Sequence, residues 1–305
     1  MAETRREKNR REPSTVPFSP TGLRRERSGY ALIILAVFFF SLLGVVIRSL
    51  GATLHFGQIA LVRSAVGALI AALALAARAD APPLRNMRAM WGRSLVGLCA
   101  MVAYFGSVTD RSVPLGDVIA IRNTAPLLTV LGAWVLLRET PRARIYVAWA
   151  AGFIGVLAIA GPGFETKWWV ALLAVTAAVF SAGSNLFLRV LRAESSERVV
   201  LHFSLVCTVA MAAVAPFVWR NPSVSEWLLL IASGLLAGVG QLCLTGAYAR
   251  APAGPVAVTG YLGMVFSYLW SILIFEESYT VASVFGAVCI TGAGVWIAAS
   301  APRRS

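Results

Sequence analysis

The chain has 305 residues, 58% of them hydrophobic and 13% charged, with a mean hydropathy of +0.74 and a formal net charge of +13. A soluble domain carries about 45–50% apolar and about 25% charged residues, so the composition excludes a water-soluble globular fold for most of the chain. Eight of the 27 Lys and Arg precede residue 28, and most others fall in short gaps between apolar runs. A nucleic-acid surface gathers its basic residues on one water-facing side, whereas basic gaps orient membrane helices. The partner implied is the lipid bilayer, not nucleic acid.

Residues 1–28 are basic, polar and proline-containing, with little to bury, and read as a disordered tail. The apolar run after them is too long for a signal-peptide core and is closed by no A-x-A-like site. A bilayer core of about 30 Å takes about 20 apolar residues per helix. Ten segments meet that length, at 30–49, 56–77, 94–110, 117–137, 145–161, 168–188, 199–219, 226–248, 255–275 and 281–299. Turn signals separate them, among them Pro82 and Pro83, Gly161-Pro162-Gly163, and Asn221-Pro222. Residues 300–305 form a short C-terminal tail. On alternating sides, 21 Lys and Arg collect with the two termini, including Arg93 in the 78–93 gap, and 4 collect opposite. The remaining two, Arg63 and Arg122, lie inside segments. This bias puts both termini in the cytoplasm.

The chain also repeats. At an offset of 138 residues Pro114-Leu115-Gly116 falls on Pro252-Ala253-Gly254, Glu139 on Glu277, and Leu35-Ala36-Val37 on Leu173-Ala174-Val175 without a gap. Two five-helix units result, 30–161 and 168–299. Five is odd, so the second enters the membrane inverted. Inverted repeats characterise many secondary transporters, whose solute sites lie near the midplane between the units. The fold class expected is an all-α integral membrane protein of ten transmembrane helices in two inverted-topology five-helix repeats. Rocking of the two units about a central cavity is the motion such a repeat suggests.

Several fragments, in order along residues 30–300, resemble the drug/metabolite transporter superfamily, specifically its EamA type. They are Ala60-Leu61-Val62-Arg63, Pro114-Leu115-Gly116-Asp117, Asn123-Thr124-Ala125-Pro126-Leu127, Leu137-Arg138-Glu139-Thr140 and Phe275-Glu276-Glu277, with Gly152, Gly155 and Gly286. The resemblance implies exchange of metabolites such as amino acids, nucleosides or cofactors without ATP, and an inner-membrane location. Arg122 departs from the pattern, which usually has an apolar or aromatic residue there.

Ionisable groups at membrane depth cost about 2.5–3.5 kcal/mol each on insertion scales and need partners or water. Arg63 and Arg122 fall at comparable depth in the second and fourth segments. A guanidinium is always charged and binds carboxylate or phosphate through two parallel hydrogen bonds. The functional reading is that both hold an anionic part of a solute; the structural one is that they snorkel or bond helix carbonyls. Asn123 extends the polar face of Arg122. Asn185 and Gln241 are amides inside apolar runs, Tyr104 and Tyr261 are candidate cavity aromatics, and Tyr261 aligns with Asn123 across the repeat. Glu139, Glu277 and Asp110 are candidates for gating or coupling, with capping and loop solvation as alternatives. Pro126 is expected to kink the fourth helix, and Gly234 and Gly238 to let helices approach closely.

The cysteines Cys99, Cys207, Cys243 and Cys289 are isolated in apolar runs, which suits packing and not disulfides or zinc. His202 reads as a packing histidine. No metal or cofactor is expected. H-E-x-x-H, G-x-S-x-G and Walker motifs are absent from the sequence, so a transporter is favoured over an enzyme, with a channel or non-transporting scaffold as the alternative. The expected partners are a small-molecule solute and a proton or counter-solute; no motif speaks to oligomeric state.

Overall fold

The computed structural model describes residues 20–78, 84–109, 121–139, 143–160, 168–275 and 281–299. Its helices are α1 (Pro20–Leu50), α2 (Phe56–Ala76), α3 (Met87–Thr109), α4 (Ala125–Leu137), α5 (Ala143–Ala160) and α6 (Trp168–Val190). They continue with α7 (Ser196–Val214), α8 (Val224–Arg250), α9 (Ala253–Thr259), α10 (Leu262–Phe275) and α11 (Val281–Ala299). Helices α9 and α10 are two parts of one broken segment, so the membrane segments number ten. Seven are long and apolar enough to cross a bilayer, and the fourth, fifth and tenth are shorter apolar helices. The fold is all-α, two inverted five-helix halves.

Two helix starts differ from the sequence reading. Helix α1 begins at Pro20, inside the segment expected as tail, and residues 1–19 lie outside the described ones. Helix α3 begins at Met87, seven residues before the expected 94. Its start is well capped. The Asn86 side chain accepts the Ala89 N–H at 3.0 Å, and Glu194 Oε1 accepts the N–H groups of Arg85 and Asn86 at 2.8 and 2.9 Å. A carboxylate and an amide at a helix N-terminus satisfy otherwise orphaned donors and favour the dipole. Arg88 and Arg93, which look like loop charges in the sequence, are therefore helical.

The halves pair helix for helix. Helix α1 packs on α8, α3 on α6, α2 on α7, the broken fourth segment on the broken ninth, and α5 on α11. First-to-third, second-to-second, fourth-to-fourth and fifth-to-fifth contacts are what a pseudo-twofold axis between inverted halves produces. The equivalence is not gap-free, however. The N-caps His55 and Ser195, each accepting a backbone N–H with its side chain, lie 140 residues apart. The later breaks at Asn123-Thr124 and Gly260-Tyr261 lie 137 apart.

These pairings bear on the expected rocking of the two units. Rocking two intact five-helix units would part the largest interfaces, since they all join one half to the other. The contacts instead group α1, α2, α3, α6, α7 and α8 into one bundle and α4, α5, α9, α10 and α11 into another, joined through α1–α10 and α4–α6.

Close approach is achieved with glycine. A Cβ on Gly238 would lie 3.3 Å from the Gly67 Cα, so Gly234-x-x-x-Gly238 seats α8 against α2. Likewise a Cβ on Gly155 would lie 2.6 Å from the Gly286 carbonyl oxygen, closing α5 on α11. Small residues at such contacts let dispersion act over a long helix pair.

Candidate functional site

Helix α3 carries the site. Spacings of four, four and three residues put Arg93, Gly97, Met101 and Tyr104 on one side of a helix with 3.6 residues per turn. A cation meets this stripe at each level. Arg63, half-buried in α2, donates from Nη2 to the Met101 sulfur at 3.2 Å. Arg122 places its guanidinium carbon 4.2 Å from the centre of the Tyr104 ring, a cation–π contact. Arg93 is 3% exposed, donates from Nη2 to Gln241 Oε1 on α8 at 3.1 Å, and lies 4.2 Å from the Phe203 ring centre on α7.

A Cβ on Gly97 would overlap Nη1 of Arg93, so the guanidinium folds back along α3 to the level of Gly97. The three cations therefore stand at levels 97, 101 and 104. These steps are about 6 Å and about 4.5 Å at 1.5 Å rise per residue. Among the described residues none of the three forms an ion pair with a carboxylate. Met101, Phe105, Phe203 and Cys207 form one buried cluster beneath them. Beside it the Ser94 hydroxyl and His202 Nδ1 are 2.8 Å apart, and Trp91 packs edge-on to the His202 ring.

The breaks in the fourth and ninth segments face the same region. Pro126, at the start of α4, has no N–H to give and its ring opposes the carbonyl of Arg122, so the helix cannot continue through Asn123 and Thr124. In the ninth segment Tyr261, Gly263 and Met264 each donate to the residue three before, a tightened turn. Asn123 reaches across to the Met264 sulfur at 3.5 Å. Tyr261 is buried, its ring lies where a Cβ on Gly152 would be, and its hydroxyl has no hydrogen-bond partner among the described residues.

The sequence candidates thus divide. Arg63, Tyr104, Arg122 and Gln241 meet along α3, with Asn123 at the adjoining break. Asn185 lies half-buried on α6, next to Ser184, whose oxygen is 3.3 Å from where a Gly97 Cβ would lie. Tyr261 sits on the far side of the break, against α5. Glu139 stands apart at the end of α4. Its Oε1 accepts from Arg189 Nε at 2.6 Å and its Oε2 from the Ala253 N–H at 2.9 Å, while Arg189 Nη1 donates to the Tyr248 carbonyl at 3.3 Å. One carboxylate so joins α4 to α6 and to the first turn of α9. Asp110 and Glu277 lie outside the described residues.

Arg93 is the residue that sequence reasoning missed. Counted as a loop charge, it lies six residues inside α3. The signal was present as a helical spacing from Arg93 through Gly97 to Met101, just ahead of the apolar run that begins at Leu95.

Ten segments in two inverted halves, with two opposed helix breaks and three cations along an interior helix face that form no ion pair among the described residues, define a multi-pass membrane protein. The chain belongs to the EamA-like transporter family, whose model matches residues 27–161 and 168–299. It is 29% identical over 270 residues to the pseudopaline exporter CntI of Pseudomonas aeruginosa, covering 87% of this chain and 93% of that protein. It is 31% identical over 165 residues to a riboflavin transporter of Vibrio cholerae, covering 53% of this chain and 55% of the other. A solved crystal structure superposes on 91% of this chain and 98% of its own at a TM-score of 0.78 with 19% identity, a likeness of fold. The family is one of transporters, and these two relatives are named for moving small metabolites, pseudopaline and riboflavin.

Proposed function

We propose that the protein is a secondary transporter, working without ATP, of a small organic metabolite that bears a carboxylate or is zwitterionic. The observation that carries this reading is the pair Arg63 and Arg122, two guanidinium groups three α3 residues apart with no carboxylate partner among the described residues. An always-charged group held inside a membrane protein calls for an anion or water. Asn123, Tyr104, Asn185, Gln241 and Tyr261 supply the neutral polar and aromatic lining of a midplane site.

The site straddles the two bundles, because Arg122 and Asn123 belong to the α4 group while Arg63, Tyr104 and Gln241 belong to the α3 group. A solute held across that boundary has different affinity for two arrangements of the bundles, which is what alternating access requires. Glu139 is the candidate latch on the face that carries the termini, and Glu277 and Asp110 keep the gating or coupling role their positions suggest. The driving force is a proton or a counter-solute. Both termini lie in the cytoplasm and the membrane is the inner one, with the basic bias of the loops in support. The likeness to an exporter makes outward movement the direction to assay first.

A metabolite library screened against the purified full-length protein by thermal melting tests this. A ligand at a hundredfold excess over its Kd stabilises the folded state by about 2.7 kcal/mol. Hits among carboxylates or zwitterions that disappear in Arg63→Gln or Arg122→Gln support the reading. Hits confined to neutral or cationic solutes overturn it.

A further inference from the structure

Arg93 is more than one anionic group on the solute needs. It is 3% exposed, and beyond its bond to Gln241 both Nε and Nη1 are buried without an acceptor among the described residues. The Phe203 ring face and the Gly97 backbone lie against it, and the Ser184 hydroxyl and Cys207 stand in the same region, none of them an anion. A buried charge left without a partner is strongly destabilising, and arginine cannot relieve it by losing its proton. An anion supplied from outside the chain would complete the set.

We propose that Arg93 forms a second anion subsite, next to the one at Arg63 and Arg122, and that the transported solute is an elongated molecule carrying at least two carboxylates, one for each subsite. This deepens the transport reading and rests on it. A dianion offsets two of the three cations facing this interior and a trianion all three, whereas a monocarboxylate would leave two of them uncovered. The spacing sets the shape. From the level of Gly97 to those of Met101 and Tyr104 is about 6 to 10 Å at 1.5 Å per residue, the reach of a dicarboxylate with several intervening carbons. A compact anion such as phosphate cannot touch both ends. Gln241 fits as the positioning residue of the second subsite, since its oxygen fixes Nη2 and leaves Nε and Nη1 for the ligand.

The test is calorimetric affinity of the full-length protein in detergent for unbranched α,ω-dicarboxylates of four to eight carbons, the monocarboxylates of equal length, and inorganic phosphate. The expected result is a dicarboxylate bound about tenfold or more tightly than its monocarboxylate, the size of one added charge-assisted hydrogen-bonded contact, with phosphate no better than a monocarboxylate. In Arg93→Gln the ratio of the two affinities falls to near one, and in Arg93→Lys it recovers in part. Should Arg93→Gln fail to fold, Gln241→Leu, which frees the guanidinium without removing it, is read in the same way and reduces the ratio several-fold. Equal affinity for mono- and dicarboxylates in the unmodified protein, tight binding of phosphate, or an unaltered ratio in Arg93→Gln overturns the second subsite while leaving the transport reading in place. Failure of every carboxylate here, together with no carboxylate or zwitterion hit in the library screen, overturns both.

Discussion

Asn123 Nδ2 lies 3.5 Å from the Met264 sulfur, so the break in the fourth membrane segment touches the break in the ninth. The contact joins equivalent segments of the two halves next to their breaks. Irregular backbone at membrane depth is tolerated only where protein or a water-filled cavity covers it. Its position next to Arg122 is what makes these breaks part of a site.

The break at Asn123 depends on Pro126. In Pro126→Ala the missing N–H returns and the clash with the Arg122 carbonyl is removed, so the helix can run on through Thr124. Thermal stability should hold or rise, while solute affinity falls about tenfold because Arg122 and Asn123 are turned from their places. Melting curves and binding isotherms on the same preparation check both.

Glu139 is held by a charge-assisted bond from Arg189 and by the N–H that opens α9. Glu139→Gln keeps an acceptor for Ala253 and loses the charge, at a cost of about 0.5–1.5 kcal/mol. Glu139→Ala loses both and costs more, roughly 1–3 kcal/mol. If the carboxylate is a latch, both variants also change the transport rate in the same order as they change the melting temperature; an unaltered rate with lowered stability marks a purely structural bond.

Arg138, directly before it, has φ of 53° and fills the left-handed position after α4 usually taken by glycine. The Glu139 N–H then returns to the Ala133 carbonyl at 3.0 Å and closes the helix end. Arg138→Gly relieves the left-handed strain and should stabilise by about 1 kcal/mol, whereas Arg138→Val should destabilise by at least as much. Thermal melting of the two variants side by side decides it.

A Cβ on Gly155 would meet fixed backbone, the Gly286 carbonyl oxygen, as well as the Ile290 and Cys289 side chains, so more than one side chain would have to move. Gly155→Leu must separate α5 from α11 and should cost at least about 1–3 kcal/mol. Gly44 is the control, because a Cβ there meets nothing within 4 Å; Gly44→Ala should leave the melting temperature within a degree or two, the effect of a fraction of a kcal/mol.

Much of this architecture could be read from the residues. Apolar runs of bilayer length gave the ten segments, and Pro114, Pro252, Glu139 and Glu277 revealed the duplication. The arginines at 63 and 122 stand out because a charge inside an apolar run has few explanations. Arg93 escaped because it is near a helix start, where a charge reads as loop, and the cap that moves the start back to Met87 comes from Glu194, over a hundred residues away. The pairing of α1 with α8 and α3 with α6 was hidden for a related reason. Uniformly apolar helices have no contrasting face to say which neighbour they meet, and the choice is settled by shape at contacts such as Gly67 with Gly238. The break in the ninth segment has no proline to announce it, since Met264 stands at the position equivalent to Pro126.

The central claim is met most directly by counterflow. Purified protein in liposomes, without ATP, is given a radiolabelled carboxylate hit from the binding screen, with the same solute unlabelled inside or absent. Saturable uptake that is accelerated by internal solute and falls at least about tenfold in Arg122→Gln, as loss of a charge-assisted contact requires, is the predicted result. Uptake that rises linearly with concentration, ignores the internal solute and is the same in Arg122→Gln would contradict the account and identify a channel.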